Sequence, residues 1–173
     1  MPHLALPELK YKASYLAALA EYQAEDLPNY RGIDPIALES NFEAYIDQLH
    51  SESLGENLPD GFVPHTVFWL VEGDTYLGRV DLRHVLNDFL HREAGHIGYD
   101  VRPSERRKGY GNLALKLGKE KAKEIGMNEV LITCDVTNIG STKIIEANGG
   151  KLENVIQVGE GKPDKNRFWI DVK

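Results

Sequence analysis

The segment Arg106-Arg107-Lys108-Gly109-Tyr110-Gly111 places three cations directly before two closely spaced glycines. It follows a segment typical of a strand, residues 94–101, and precedes one typical of an amphipathic helix, residues 112–125. A glycine-rich turn that opens a helix leaves backbone N–H groups without partners. These donors and the positive helix end suit a phosphate or pyrophosphate group. The sequence therefore predicts a site for a phosphate-bearing ligand at this turn.

Two other interpretations of this turn follow from the residues alone. It could be a simple strand-to-helix connection that needs small residues. It could also bind a dinucleotide, because residues 109–114 match a loose G-x-G-x-x-G/A pattern and Asp135 follows the next strand. A hairpin precedes the turn, however, and little chain remains after Asp135 for further parallel strands. A Walker A loop is excluded, because no Gly-Lys-Ser/Thr follows the glycines.

The elements around the turn predict an α/β fold. Hydrophobic periodicity and helix-ending residues predict helices and strands in a definite order along the chain. The predicted helices cover residues 8–25, 35–52, 112–125 and a segment from Asn138 or Ser141 to Asn148; the predicted strands cover residues 66–71, 75–82, 94–101, 129–134, 151–158 and 167–172. The first two of these strands form a hairpin around Gly73, and residues 86–93 are ambiguous. A hairpin followed by a strand–helix–strand crossover implies a mixed sheet with helices on its faces.

Length and composition restrict the function further. A chain of 173 residues fits one domain. Its net charge of -7 argues against a nucleic-acid partner, which needs a basic face. Cys134 is the single cysteine, which fits the reducing cytoplasm, and no apolar run is long enough to span a membrane. The histidines show no metal-ligand spacing, so we expect no metal.

The ordered motifs resemble those of a known family. Arg106-x-x-Gly109-x-Gly111 resembles the [Arg/Gln]-x-x-Gly-x-[Gly/Ala] pyrophosphate loop of the GNAT superfamily of acyl-CoA-dependent N-acyltransferases. Residues 97–103 resemble its central strand, and Asn138, Ser141 and Gly149 resemble its later helix. Residues 167–170 resemble its closing strand. The resemblance covers residues 66–173 and is nearest to a bacterial predicted-acetyltransferase subgroup of unassigned substrate.

This resemblance implies an α/β (α+β) fold with a mixed, mostly antiparallel central sheet flanked by helices. It implies a single domain, in which residues 1–65 shape the acceptor site and residues 66–173 form the sheet and the acetyl-CoA-binding core. It implies direct transfer of the acetyl group of acetyl-CoA to a primary amine of an unidentified small molecule, protein or peptide. The implied cofactor-binding residues are Tyr99, Asp100, Val101, Arg106, Arg107, Lys108, Gly109, Tyr110, Gly111, Asn112, Asn138 and Ser141.

The catalytic groups are less defined by the sequence. His96, on the central strand, is the predicted general base, with Glu93 and Asp100 as rivals. Many members of the family place a proton-donating Tyr seven residues after the Asn that starts the helix, and Ile145 stands there in this chain. Ser141 is then the predicted donor. A non-catalytic acyl-CoA-binding module and an NAD-type enzyme stay open as alternatives, as does a homodimer.

Overall fold

The computed structural model describes residues 1–173 and contains five helices and seven strands. The helices are α1 (Lys12–Ala24), α2 (Pro35–Ser40), α3 (Phe42–Ser53), α4 (Tyr110–Glu124) and α5 (Ile139–Ala147). The strands are β1 (His3–Ala5), β2 (His65–Glu72), β3 (Thr75–Arg83), β4 (Ile97–Val101), β5 (Glu129–Asp135), β6 (Lys151–Ile156) and β7 (Lys165–Asp171). Every hydrogen-bonded strand pair is antiparallel.

The strands form two sheets, with the orders β1-β2-β3-β4 and β5-β7-β6. The helix-flanked, mostly antiparallel α/β fold predicted from the sequence is therefore confirmed. The central sheet predicted from the sequence is divided into two sheets in the structure. Strands β4 and β5 are the facing edge strands, and they meet only near Gly95 and Ile132. From that contact onward the two sheets separate and leave a cleft between them.

Local structure departs from the sequence-based prediction at three places. The predicted helix over residues 35–52 is broken at Asn41, whose side-chain amide donates to the Ala37 carbonyl at 2.8 Å. Strand β1 is only three residues long, too short to give a periodic signal. The ambiguous segment ends in a π-helical turn, Leu90–Ala94, in which the Gly95 N–H donates to the Leu90 carbonyl at 2.6 Å.

Two hydrophobic cores lie on the two faces of the first sheet. One is aromatic and is covered by the N-terminal helices; at its centre Tyr15 stacks on the fully buried Trp69, with ring centroids 4.7 Å apart. The other lies under α4 and α5. A Cβ added at Gly118 of α4 would lie 3.0 Å from a methyl group of Val80, so α4 packs closely on β3 because it presents small residues.

Candidate functional site

The turn before α4 has the backbone geometry of an anion site. Arg107 has φ of 61° and Gly109 has φ of 87°, and α4 begins at Tyr110. The first hydrogen bond of the helix runs from the Leu113 N–H to the Gly109 carbonyl at 3.1 Å. The preceding N–H groups, from Arg107 to Asn112, have no acceptor within the chain. Positive φ values curve the turn so that such N–H groups face a common point, as an anion-binding nest requires.

Helix α1 and the residue that caps its end, Glu25, fix the approach to this turn through two ion pairs. Arg102 pairs with Glu21, with Nη2 2.6 Å from Oε1, and Arg106 pairs with Glu25, with Nη1 2.7 Å from Oε2. The Ser104 N–H also donates to Glu21 Oε2 at 3.0 Å. Burial raises the pKa of Glu21, but the hydrogen bonds from Arg102 and Ser104 outweigh it and lower the pKa to about 2. The N-terminal helices therefore hold the turn before α4 in place and also cover one face of the first sheet.

The three cations of the turn are not equivalent. Arg106 reaches back to Glu25, and Lys108 pairs with Glu105 at 2.9 Å. Arg107 is exposed and makes no ion pair. Arg107 is thus the cation of the turn whose charge is free for an anion.

The cleft between the sheets has a volume of about 470 Å³. Gly98 and Tyr99 of β4 lie on one side, and Thr133 and Cys134 of β5 lie on the other. Along β4, from Ile97 to Val101, one edge pairs with β3 and the other edge has no strand partner. An extended polar chain can therefore pair with β4 as an added strand. The other lining residues are Asn29, Arg83, Phe89, Glu93, Ala94, Ile97, Asp135, Asn138, Ser141 and Lys165.

His96 joins the two sheets where they diverge. Its N–H donates to the Leu131 carbonyl at 2.7 Å, and its ring Nδ1 accepts from the Leu131 N–H at 2.9 Å. Burial, with the nearby charges of Arg83 and His91, lowers the pKa of His96 to about 4. The neutral ring therefore carries its proton on Nε2, and the Nδ1 lone pair is occupied. This differs from what the predicted general base needs, a free lone pair facing the amine.

Neighbouring side chains of β4 face opposite sides of the sheet, as the pleat requires. Asp100 points to the N-terminal helices, where its carboxylate accepts from the Tyr22 hydroxyl at 2.9 Å and the Tyr30 hydroxyl at 2.7 Å. Burial raises its pKa, against the lowering effects of Arg79 and the two tyrosines. Tyr99 points the other way, and its ring lies 3.9 Å from the position of a Cβ at Gly111. Only the backbone of Asp100 is thus available at the strand edge.

The start of α5 is capped by Asn138, whose side-chain oxygen accepts from the Ser141 N–H at 3.0 Å. Asn138 and Ser141 both line the cleft, so the structure brings the later motif to the strand β4 that the sequence associates with it. Ile145 lies on the inner side of α5 and is fully buried. The position at which many relatives carry Tyr therefore belongs to the core.

The dinucleotide interpretation has no structural support. Asp135, its candidate ribose ligand, is paired with Lys165. The sheets are antiparallel, whereas the dinucleotide fingerprint belongs to a parallel βαβ unit. No group of three or more His, Cys, Asp or Glu residues is arranged to hold a metal ion. No helix combines the length and the apolar character needed to cross a membrane.

Sequence reasoning missed the contacts that support the site from the N-terminal side. Glu21 and Tyr22 lie in the last turns of α1 and Glu25 caps its end, and all three contact β4 or the segment after it. Their spacing of one and four residues places them on one side of a helix. Their partners lie about 80 residues away along the chain, so no local pattern indicated them.

Comparisons with known proteins agree with this geometry. A family model described as an acetyltransferase (GNAT) domain matches residues 12–151. Among solved structures, the microcin C7 self-immunity acetyltransferase MccE, in complex with acetyl-CoA and AMP, has a TM-score of 0.71 and 18% identity over 98% of this chain and 92% of its own. RimL, a ribosomal L7/L12 α-N-protein acetyltransferase in complex with coenzyme A, has a TM-score of 0.72 and 14% identity over 98% and 93%. RimJ of Mycobacterium smegmatis has a TM-score of 0.71 and 16% identity over 97% and 80%.

A comparison with curated protein sequences found no match. The family model covers most of the chain, including α1, the turn before α4 and the start of α5. The prediction of an acetyl-CoA-dependent N-acetyltransferase is confirmed at this level, and the chain belongs to the GNAT acetyltransferase family.

Proposed function

We propose that this protein transfers the acetyl group of acetyl-CoA directly to a primary amine of a small molecule, protein or peptide in the cleft between β4 and β5. The proposal rests on two adjoining features, the turn before α4 and the free edge of β4. The unpaired N–H groups of residues 107–112 suit a pyrophosphate, and the free edge of β4 leads from them into a cleft of about 470 Å³. One ligand with a pyrophosphate and an extended amide-bearing arm fits both.

The binding roles follow from this placement. The backbone N–H groups of Arg107, Lys108, Gly109, Tyr110, Gly111 and Asn112 would hold the pyrophosphate, with Arg107 adding charge. The backbones of Tyr99, Asp100 and Val101 would pair with the pantetheine arm, and Asn138 would meet it from α5. Arg106 supports the turn through Glu25. The bound cosubstrate supplies a reactive thioester; the residues of the chain orient it, exclude water and manage protons.

Glu93 is the proposed general base in place of His96. Of the three candidates from the sequence, Glu93 alone lines the cleft, and its side chain is 19% exposed. His96 is not among the lining residues and its Nδ1 accepts from the Leu131 N–H, and Asp100 is held by two tyrosines on the other face. We assign His96 a positioning role, because it fixes the point at which the sheets diverge. Ser141 is the proposed hydrogen-bond donor to the departing sulfur.

A direct test measures binding and transfer separately. Isothermal titration calorimetry with acetyl-CoA should show binding, and Gly111→Glu should abolish it, because a Cβ at this position already lies 2.8 Å from Ile144 and a carboxylate would repel phosphate. Release of free thiol is then followed with a panel of small amines and peptide N-termini. Binding without any thiol release would favour the non-catalytic module. A protein that binds NAD and not acetyl-CoA would overturn the proposal.

A cytoplasmic location, a homodimer and the division of the chain at residue 65 stay predictions from the sequence. Strand β1 pairs with β2, so the N-terminal segment contributes to the first sheet as well as to the helical layer. Gel filtration combined with light scattering tests the dimer. Limited proteolysis between residues 53 and 65 tests whether the two parts separate.

A further inference from the structure

The usual position of the proton donor cannot serve in this chain. Ile145 is fully buried, and a Cβ added at Gly150 would lie 2.5 Å from its Cγ2. The side chain therefore fills the core between α5 and the following strand and has no polar atom. If a hydroxyl assists the departing sulfur, it must come from another position.

The Tyr99 hydroxyl is buried and has no hydrogen-bond partner. Burying such a group without a partner costs free energy, so an orphaned hydroxyl beside a cleft points to a ligand or a movable neighbour. A Cβ added at Gly111 of α4 would lie 3.9 Å from the Tyr99 ring and 2.8 Å from Ile144 of α5, so the ring extends from β4 toward the place where α4 and α5 meet. Tyr99, Cys134 and Ser141 line the same cleft.

Ser141 is the hydroxyl placed to complete this arrangement. The capping bond to Asn138 uses its backbone N–H and leaves its hydroxyl for other contacts. Burial raises the pKa of Tyr99, and proximity to Ser141 lowers it only in part. Tyr99 therefore stays protonated at neutral pH and its hydroxyl can donate a hydrogen bond, and Ser141 is the hydroxyl close enough to affect its pKa.

We propose that Tyr99 acts through Ser141: the Tyr99 hydroxyl donates a hydrogen bond to Ser141 Oγ, which directs the Ser141 hydroxyl to the departing sulfur. This inference rests on the proposed function. As the new C–N bond forms and the C–S bond breaks, the sulfur takes the bonding electron pair and accepts a hydrogen bond from Ser141. The amine proton leaves to Glu93. Tyr99 keeps its own proton and stabilises the partial charge on Ser141 Oγ, as linked hydrogen bonds do.

The test compares Tyr99→Phe, Ser141→Ala and the double variant with Tyr76→Phe. Tyr76 is a matched control, because its hydroxyl is also buried without a partner but lies in the aromatic core under the N-terminal helices. We expect Tyr99→Phe to lower kcat about tenfold, the loss of one hydrogen bond to a developing charge, with the Kd for acetyl-CoA unchanged. The double variant should be no slower than Ser141→Ala, and Tyr76→Phe should match the unchanged protein. Equal kcat for Tyr99→Phe, or losses that multiply in the double variant, would overturn the proposal.

A second measurement does not need an acceptor. The ultraviolet absorbance of the thiolate reports the protonation of the sulfur of bound coenzyme A as pH changes. Tyr99→Phe should move the midpoint of this titration to higher pH by about one unit, which corresponds to the same tenfold factor, and have no effect in the Ser141→Ala background. If coenzyme A binds but Tyr99→Phe leaves the midpoint unchanged, the role of Tyr99 is refuted and the proposed function is not affected. Failure of every variant and of the unchanged protein to bind coenzyme A would refute the proposed function itself.

Discussion

The carboxylate of Glu21 holds the guanidinium of Arg102, with 2.7 Å between Oε1 and Nε and 2.6 Å between Oε1 and Nη2. The two residues lie on α1 and directly after β4. Their contact ties the N-terminal helical layer to the segment that leads into the phosphate-binding turn. Substitutions on α1 should therefore affect the turn, although α1 contributes no residue to it.

Glu21→Gln should destabilise the protein in a pH-dependent way. The pKa of Glu21 is lowered from 4.5 to about 2, so its contribution is present above pH 4.5 and is lost as pH falls toward 2. Because Glu21 is partly exposed to solvent, the substitution should lower the free energy of unfolding at pH 7, measured with urea, by about 1–2 kcal/mol. Glu25→Gln, in a more exposed pair, should cost less. A deficit for Glu21→Gln that is as large at pH 2 as at pH 7 would contradict this account.

His96 should produce a second pH effect on stability. Its pKa falls from 6.5 to about 4 on folding, so the unfolded chain binds a proton more readily between these values. The free energy of unfolding should therefore decrease as pH falls from 6.5 to 4, by an amount on the order of 2 kcal/mol. His96→Asn, whose side-chain oxygen can accept from Leu131, should remove this slope. His3→Asn is the exposed control and should leave the slope intact.

Gly109→Ala and Gly126→Ala form a matched pair. Both glycines have φ of 87°, and a Cβ at either meets no atom within 4 Å. Each substitution should cost about 1 kcal/mol of stability, because L-residues with a Cβ are strained at this φ. Only Gly109→Ala should also weaken acetyl-CoA binding, since Gly109 lies in the anion site and Gly126 ends α4. Equal acetyl-CoA affinities for the two variants, measured by calorimetry, would place the phosphate elsewhere.

Arg107 and Lys108 should differ as phosphate ligands. Lys108 is held by Glu105, whereas Arg107 has no carboxylate partner. Arg107→Ala should raise the Kd for acetyl-CoA about five- to tenfold and reduce its salt dependence, because a free guanidinium gains most from an anion. Lys108→Ala should change the Kd less than twofold. If Lys108→Ala raises the Kd for acetyl-CoA more than Arg107→Ala does, at two salt concentrations, the ion pair between Lys108 and Glu105 opens on binding.

Glu93→Gln should lower kcat and leave acetyl-CoA affinity unchanged. The amide keeps the size of the side chain but cannot take a proton from the amine, and losing a general base costs about 100-fold or more. Asp135→Asn is the control, because Asp135 lines the same cleft and is paired closely with Lys165, whereas Glu93 lies 3.8 Å from Arg92. If Glu93→Gln retains full activity at every pH tested, water or another group takes the proton.

The sequence by itself determined the order of elements, the turn at Gly109 and the family. These features are local: glycines, a helix cap and hydrophobic periodicity act within a few residues, and the hairpin around Gly73 and the strand before α4 follow from the same patterns. Tertiary structure decided which side chains reach the site. His96 faces Leu131 and not the cleft because the two sheets meet at Gly95, and Tyr99 and Asp100 separate because the strand pleat alternates. Such choices depend on contacts between residues far apart in the chain, for which a single sequence carries no local signal.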